Sequence, residues 1–368
     1  MEQQKRFIIS GGGTGGHIFP AISIANALKE RFPQAEILFV GALGRMEMER
    51  VPAAGYKIKG LPVSGFDRKN MFRNIGVLWN LLRSLLLARR IIREFCPDVA
   101  IGVGGYASAP VLHAASAYGV PTIIQEQNSY AGVTNKLLAR KAARICVAYN
   151  GMEKFFPAAK IVKTGNPVRQ DLLRADISKE KALAFFGFQP GRKTLLVLGG
   201  SLGARTINRS LIVQLNTLAI SGMQVIWQTG KFYIEDARKA LVPFSNTPMF
   251  VTDFLSRMDY AYAAADLVIS RAGAASISEL CLLGKPVVLV PSPNVAEDHQ
   301  TRNAMALVEH DAAVIISDAD AIQKLIPTAL KLMMNTDKLN ELSKNIRILA
   351  EPNSAGRIVD EIVQVQRK

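Results

Sequence analysis

Apolar runs of strand length alternate with segments of helical spacing along the whole chain. The runs Phe7 to Ser10, Ile37 to Val40, Val99 to Val103, Thr122 to Gln125 and Ile145 to Ala148 read as strands in the first half. Thr194 to Leu198, Gln224 to Gln228, Leu267 to Ser270 and Val287 to Val290 do so in the second. Between them, positions such as Ile18, Ala21, Ala25, Leu28 and Phe32 recur at the 3.6-residue spacing of one helix face. Strands that alternate with helices in this way predict the α/β class with parallel, doubly wound sheets.

The pattern also repeats. Asp98 to Ser108 (DVAIGVGGYAS) and Asp266 to Ser276 (DLVISRAGAAS) align without gaps 168 positions apart and share five of eleven residues. Each is followed by Gly-x-Pro and another apolar run, GVPTII at Gly119 and GKPVVL at Gly284. Each half also has an earlier strand that ends in glycines, FIISGGGTGG at Phe7 and LLVLGGSLGA at Leu195. Two tandem Rossmann-like domains follow, with a boundary where VKTGNPVR interrupts the periodicity near residue 163. Ligands of such sheets bind beyond the carboxyl ends of the strands, so two domains facing each other would form a cleft suited to joining two substrates.

Length and charge refine this picture. A chain of 368 residues with 49% hydrophobic and 20% charged residues suits two globular domains and excludes disorder and coiled coil. Cys96, Cys146 and Cys281 are odd in number and lack any C-x-x-C, which argues against a disulfide framework or thiolate metal cluster and for a reducing compartment. The start MEQQKRFIISGGG carries no signal-peptide core, so a cytoplasmic location is expected. The net charge of +15 is uneven: residues 1–165 hold 22 Lys and Arg against 10 Asp and Glu, whereas residues 166–368 hold 23 against 20. The anionic partner therefore belongs to the first half, as nucleic acid, a membrane surface or a phosphate-bearing substrate. With 7% aromatics and no interleaved Lys/aromatic stripe, nucleic acid is the weakest of the three.

Gly11, Gly13 and Gly16 fit the G-x-G-x-x-G dinucleotide fingerprint between a strand and a helix. An oxidoreductase also needs an acidic residue at the end of the second strand, where ILFVGALG offers Gly41 and Ala42. That argues against a dehydrogenase. His17 and Pro20 open the helix after a loop richer in glycine than the fingerprint requires, so bare backbone N–H groups face the site and a diphosphate is the natural guest. His17 is a candidate general base because its ordinary pKa is nearest neutral, with Glu126 as rival; the imidazole equally suits orienting a diphosphate, or packing. No D-x-D is read near a strand end, and no His/Cys cluster has metal-ligand spacing, so no metal or other cofactor is expected.

The segments GGGTGGHIFPAISIANAL, IGVGGYASAPVLHAA, QEQNSYAGVTNKLLAR, GNPVR, GGSLGA and SRAGAASISEL, in this order, resemble the MurG family. The resemblance covers nearly the whole chain. It implies a GT-B fold and inverting transfer of N-acetylglucosamine from UDP-N-acetylglucosamine to the muramoyl C4 hydroxyl of undecaprenyl-diphospho-muramoyl-pentapeptide (lipid I), giving lipid II for peptidoglycan. The alternatives are another GT-B glycolipid transferase, a nucleotide-sugar epimerase, or a membrane-docked nucleotide-binding protein without turnover. It further implies an acceptor- and membrane-binding domain over residues 1–163, a donor domain over 164–352, and a C-terminal helix near 353–368 that packs back on the first. The location implied is peripheral, on the cytoplasmic face of the bacterial inner membrane.

The resemblance also distributes roles. Ala274, Ala275, Ser276, Ile277 and Ser278 match the helix start that meets the donor phosphates, and Glu279 the carboxylate that takes the ribose hydroxyls. The plain alternative is a capping box with Ser276 as N-cap and Glu279 at the third helical position. Ser201 and Arg169 match further donor contacts, Leu255 a backbone contact to uracil, and Gln300 a reader of sugar hydroxyls, in a block that departs from the commoner family spelling. From the first half, Thr14, Gly15, Gly16 and Asn128 match positions bordering the donor sugar, and Gly13, Gly104, Gly105 and Tyr106 the acceptor diphosphate.

Met71 to Phe95 carries fourteen large apolar residues, five arginines and one acid, with too short an uncharged run to span a bilayer. Ile75, Leu78, Leu82, Leu85 and Ile92 are expected on its core face. That leaves Phe72, Trp79 and Leu86 beside Arg83, Arg90 and Arg93 for an anionic membrane surface.

Overall fold

The computed structural model describes residues 4–63, 73–168, 172, 177–200, 202–295 and 298–366. Phe72, Arg169 and Ser201 lie outside them. The chain divides into two compact units, Met1–Arg169 with Glu351–Lys368, and Gln170–Ala350.

Among the described residues the first unit holds seven parallel strands, β1 (Arg6–Ser10), β2 (Glu36–Ala42), β3 (Lys57–Leu61), β4 (Val99–Gly102), β5 (Thr122–Glu126), β6 (Arg144–Val147) and β7 (Ile161–Lys163), ordered β3-β2-β1-β4-β5-β6-β7. From β1 the chain runs outward to β3, then returns to start the other direction at β4. The loops after β1 and β4 therefore meet at the switch point where open α/β sheets bind ligands. Helix α1 (Gly15–Arg31) buries Ile18, Ala21, Ile24, Ala25 and Leu28 against one sheet face, joined there by Ile358, Val359 and Ile362 of the C-terminal helix Ser354–Gln366. Arg144 pairs with Glu361 at 3.2 Å, tying that helix to β6, and Lys163 pairs with Glu351, in the segment before it, at 2.8 Å.

The second unit repeats the plan with six parallel strands, β8 (Thr194–Leu198), β9 (Gln224–Gln228), β10 (Met249–Thr252), β11 (Leu267–Ser270), β12 (Val287–Leu289) and β13 (Val314–Ile315), ordered β10-β9-β8-β11-β12-β13. Its switch point lies between β8 and β11. Leu195, Val197, Trp227, Leu267 and Ile269 form its fully buried centre, and the Trp227 indole N–H donates to Asn208 at 2.9 Å.

Candidate active site

At the second unit's corner, Gly273 enters the helix Ala274–Leu283 in an extended conformation (φ −72°, ψ 137°), and no side chain caps that helix. The first backbone bond there is Ile277 N–H to the Gly273 carbonyl at 3.0 Å. The N–H groups of Ala274, Ala275 and Ser276 thus head the helix at its positive end, an arrangement made for an anion. The helix begins too early for the capping box: Ser276 is its third residue rather than its N-cap, and Glu279 lies a turn further in. The Glu279 carboxylate is buried and accepts the Tyr262 hydroxyl at 3.0 Å, which fixes its rotamer. Ser278 turns its hydroxyl back to the Ala274 carbonyl at 3.0 Å. The Leu255 N–H donates to Gln228 Oε1 at 3.4 Å, so the backbone group expected to meet uracil has an internal partner. Gln300 accepts the Ser292 N–H at 2.9 Å, which commits its oxygen to the loop after β12.

At the first unit's corner, the loops after β1 and β4 cross in close contact. Gly105 has φ +86°, and a Cβ there would come 2.5 Å from the Gly12 carbonyl oxygen. Only glycine fits. The buried Ser108 hydroxyl lies 2.8 Å from the Ser10 carbonyl and 2.9 Å from that of Gly104, drawing both loops together. His17, in the first turn of α1, places Nδ1 3.1 Å from the Gly12 carbonyl and 3.3 Å from the Thr14 hydroxyl. A carbonyl can only accept, so the contact with Gly12 calls for a proton on Nδ1. The Nε2 edge of the ring lies over Gly104, where a Cβ would stand 3.0 Å from Nε2. Tyr106, next in the loop, is exposed.

The chain also matches known families directly. Residues 7–147 fit the glycosyltransferase family 28 N-terminal domain and residues 194–358 its C-terminal domain. A Parabacteroides distasonis protein named UDP-N-acetylglucosamine--N-acetylmuramyl-(pentapeptide) pyrophosphoryl-undecaprenol N-acetylglucosamine transferase is 68% identical over 99% of both chains. The chain belongs to the MurG family. The crystal structure of Acinetobacter baumannii MurG superposes with a TM-score of 0.75 at 26% identity, over 98% of this chain and all of that one. A UDP-GlcNAc 2-epimerase from Neisseria meningitidis shares the fold alone, with a TM-score of 0.68 at 13% identity over 98% of this chain and all of that one. The GT-B fold with two Rossmann-like units, and a glycosyltransferase, are thereby established; the fold by itself separates no transferase from an epimerase.

Measured against the roles that MurG resemblance implied, two residues of the first unit do other work. Glu126, 2% exposed, accepts the N–H of Asn128 at 3.1 Å on one oxygen, and the Gly132 N–H and Asn135 side-chain amide, each at 2.9 Å, on the other. It braces the loop that carries Asn128, with both oxygens committed to N–H donors of that segment. Gly13, expected on the acceptor diphosphate, donates its N–H at 2.9 Å to Glu47. A diphosphate at that N–H would meet a carboxylate.

Several participants escaped the sequence. Glu47 lies 34 positions from Gly13, and nothing local marks it. Arg271 donates to the Val290 and Pro291 carbonyls, both at 3.1 Å, and pairs with Asp318, whose other oxygen accepts the Thr206 hydroxyl. Contrary to the expectation of no D-x-D near a strand end, Asp318 begins one three residues past β13, a strand too short to be read beforehand. The second acid, Asp320, accepts the Ser317 hydroxyl at 2.9 Å and pairs with Lys324. Both carboxylates thus serve the fold. Burial pushes the Cys146 and Cys281 thiols up to about 12, so neither is a thiolate nucleophile at neutral pH.

The helix Arg73–Phe95 also differs from expectation. Its core face is Ser84, Ala88, Ile91 and Ile92, while Leu78, Trp79, Leu82 and Leu86 are 54%, 66%, 51% and 64% exposed. Leu78 and Leu82, expected in the core, face outward: among the described residues the helix buries side chains from Ser84 onward. Arg83, Arg89, Arg90 and Arg93 are exposed beside them.

Proposed function

We propose that the chain transfers N-acetylglucosamine from UDP-N-acetylglucosamine to the C4 hydroxyl of the muramoyl sugar of lipid I, forming lipid II with inversion at the anomeric carbon. The observation that carries this is the 68% identity over 99% of a protein named for that reaction. The uncapped helix start at Ala274–Ser276 supports the donor side. Its N–H groups hold the UDP diphosphate and stabilise the charge that grows on it as the C1–O bond breaks. Glu279, held by Tyr262, takes the ribose hydroxyls. On the acceptor side, Gly104, Gly105 and Tyr106 receive the lipid diphosphate, without the Gly13 N–H. His17 Nε2 accepts the proton of the attacking C4 hydroxyl as the new bond forms opposite the departing UDP.

The exposed apolar and arginine-rich face of the helix Arg73–Phe95 supports peripheral binding to an anionic membrane, where the acceptor's polyprenyl tail must stay. No helix among the described residues is long and apolar enough to cross a membrane. Partial insertion of Trp79 with a few arginines, about 1 kcal/mol each near an anionic surface, gives reversible, salt-sensitive attachment.

Transfer of radiolabelled sugar from UDP-N-acetylglucosamine to a lipid I analogue tests the reaction. Product dependent on the muramoyl acceptor is expected; conversion of the nucleotide sugar without acceptor would indicate the epimerase instead. Vesicle sedimentation tests the membrane face: Trp79→Ser with Arg83→Gln and Arg90→Gln should lose binding to anionic vesicles. Equal binding by both proteins would reject this face.

A further inference from the structure

Glu47 is 1% exposed and carries no role in the reaction described above. Its Oε1 accepts the Ala42 N–H at 3.0 Å at the end of β2, and its Oε2 accepts the Gly13 N–H at 2.9 Å. Both oxygens act as acceptors of backbone donors, which is the hydrogen bonding of an ionised carboxylate. The surroundings leave room for it alone: a Cβ at Gly12 would come 2.1 Å from Oε1, and one at Gly41 2.6 Å from the Glu47 Cγ.

The Gly13 N–H and the Gly12 carbonyl belong to one peptide group. That carbonyl is the acceptor of His17 Nδ1–H at 3.1 Å. Carboxylate, peptide and imidazole therefore form one chain: Glu47 Oε2 to H–N of Gly13, across the amide to O=C of Gly12, to H–Nδ1 of His17. Donation of an amide N–H to an anion shifts electron density onto the amide oxygen, and hydrogen bonds in series strengthen one another. We propose that Glu47 is a positioning residue that acts through the Gly12–Gly13 peptide to hold His17 as the Nδ1–H tautomer and to raise the basicity of Nε2. It does at one remove what a carboxylate bonded directly to a catalytic histidine does.

The need for such a device follows from the position of His17. The first turn of α1 contains no acidic residue, and the positive helix end disfavours an imidazolium. A base there would be weak unless a negative charge stood behind it. Among the described residues, Tyr106, after β4, and Glu126, at the end of β5, are titratable groups on neighbouring loops, and the oxygens of Glu126 are committed to the Asn128–Asn135 segment. Glu47 is the carboxylate connected to the ring through its own loop.

The proposal rests on the reading of His17 as base, and its test separates the two. Nitrogen-15 NMR of the imidazoles in the unliganded protein should find His17 protonated at Nδ1 and not at Nε2 at neutral pH. In Glu47→Gln the Nδ1–H preference should weaken and His17 should lose its proton at lower pH, because the imidazolium has lost its counter-charge. The acid limb of the kcat profile should move down by about one unit, and kcat should fall about 10- to 100-fold with donor KM within about twofold. In a His17→Ala background, Glu47→Gln should cost almost nothing further in kcat, since a residue that acts through His17 has nothing left to act on. An Nε2–H tautomer in the wild type would overturn the proposal even if Glu47→Gln does not fold. An undiminished loss in the His17→Ala background would overturn it as well, by making Glu47 a brace of the loop only. If His17→Ala leaves kcat unchanged, the base reading fails, and the proposed influence on catalysis fails with it; the tautomer still reports whether Glu47 holds the ring.

Discussion

The two copies of the internal repeat begin alike and end differently. Asp98 accepts the Arg6 N–H at 2.7 Å, and Asp266 accepts the Thr194 N–H at 2.8 Å, so each aspartate clamps the start of the strand beside it, β1 and β8 respectively. Six residues on, the routes part. In the first copy Gly104 and Gly105 both take left-handed conformations, φ +95° and +86°, and fold the loop against Gly12. In the second copy Ala272 and Gly273 stand at those positions, Gly273 is extended, and the chain enters its helix directly. One corner closes on the loop that carries His17, and the other presents an uncapped helix start. A repeat thus preserves the scaffold bond while a Gly–Gly to Ala–Gly change decides what each corner offers.

The largest expected effect tests whether chemistry and donor binding divide between the corners. His17→Ala should lower kcat by about 10² to 10⁴ and leave UDP affinity nearly intact. Glu279→Ala should instead raise the donor KM about tenfold or more, about 1.4 kcal/mol for a lost charge-assisted bond. Steady-state kinetics with varied donor and acceptor reads both, and a His17 effect confined to acceptor KM would make the imidazole an orienting group.

Next comes the backbone. Gly105→Ala should destabilise the protein by about 1–3 kcal/mol, since its Cβ meets the Gly12 carbonyl in a left-handed conformation. At Gly273 the nearest atom to an added Cβ is Ser276 Oγ at 4.0 Å, so Gly273→Ala should change stability by no more than about 0.5 kcal/mol. Urea unfolding midpoints compare the two, and equal losses would erase the distinction between the corners.

The smallest effect concerns the Gly-x-Pro that follows each copy, Gly119-Val120-Pro121 and Gly284-Lys285-Pro286. Burial, with Lys179 and Arg347 adding and Asp266 opposing, pushes the Lys285 ammonium down to about 8 from 10.5. Its folded pKa lies below the unfolded one, so the unfolded chain holds more protons in between. Stability should rise with pH from about 8 to 10.5, and the full penalty applies below 8. Lys285→Val, which installs the first copy's residue, should flatten that rise and stabilise the protein at pH 7 by about 1 kcal/mol, because the lost bond to the Ala265 carbonyl offsets part of the gain. A pH series of thermal unfolding curves measures it, and an unchanged slope would reject the assignment to Lys285.

Apolar runs alone located β1, β2, β4, β5, β6, β8, β9, β11 and β12, the interior strands of the described sheets. The four left unread, β3, β7, β10 and β13, are their edges. An interior strand of a parallel sheet is buried on both faces and reads as a continuous apolar run, whereas an edge strand such as Lys57–Leu61 alternates with exposed lysines and resembles a loop. The site divides in the same way. The glycine loops, His17 at its helix start and the duplicated Asp-to-Ser segment are local patterns, and local patterns survive in a linear sequence. What Glu126, Glu47, Leu78 and Leu82 do was decided by the tertiary structure. A carboxylate's task depends on which N–H groups the fold brings within about 3 Å, and a leucine's on where its helix first touches the sheet.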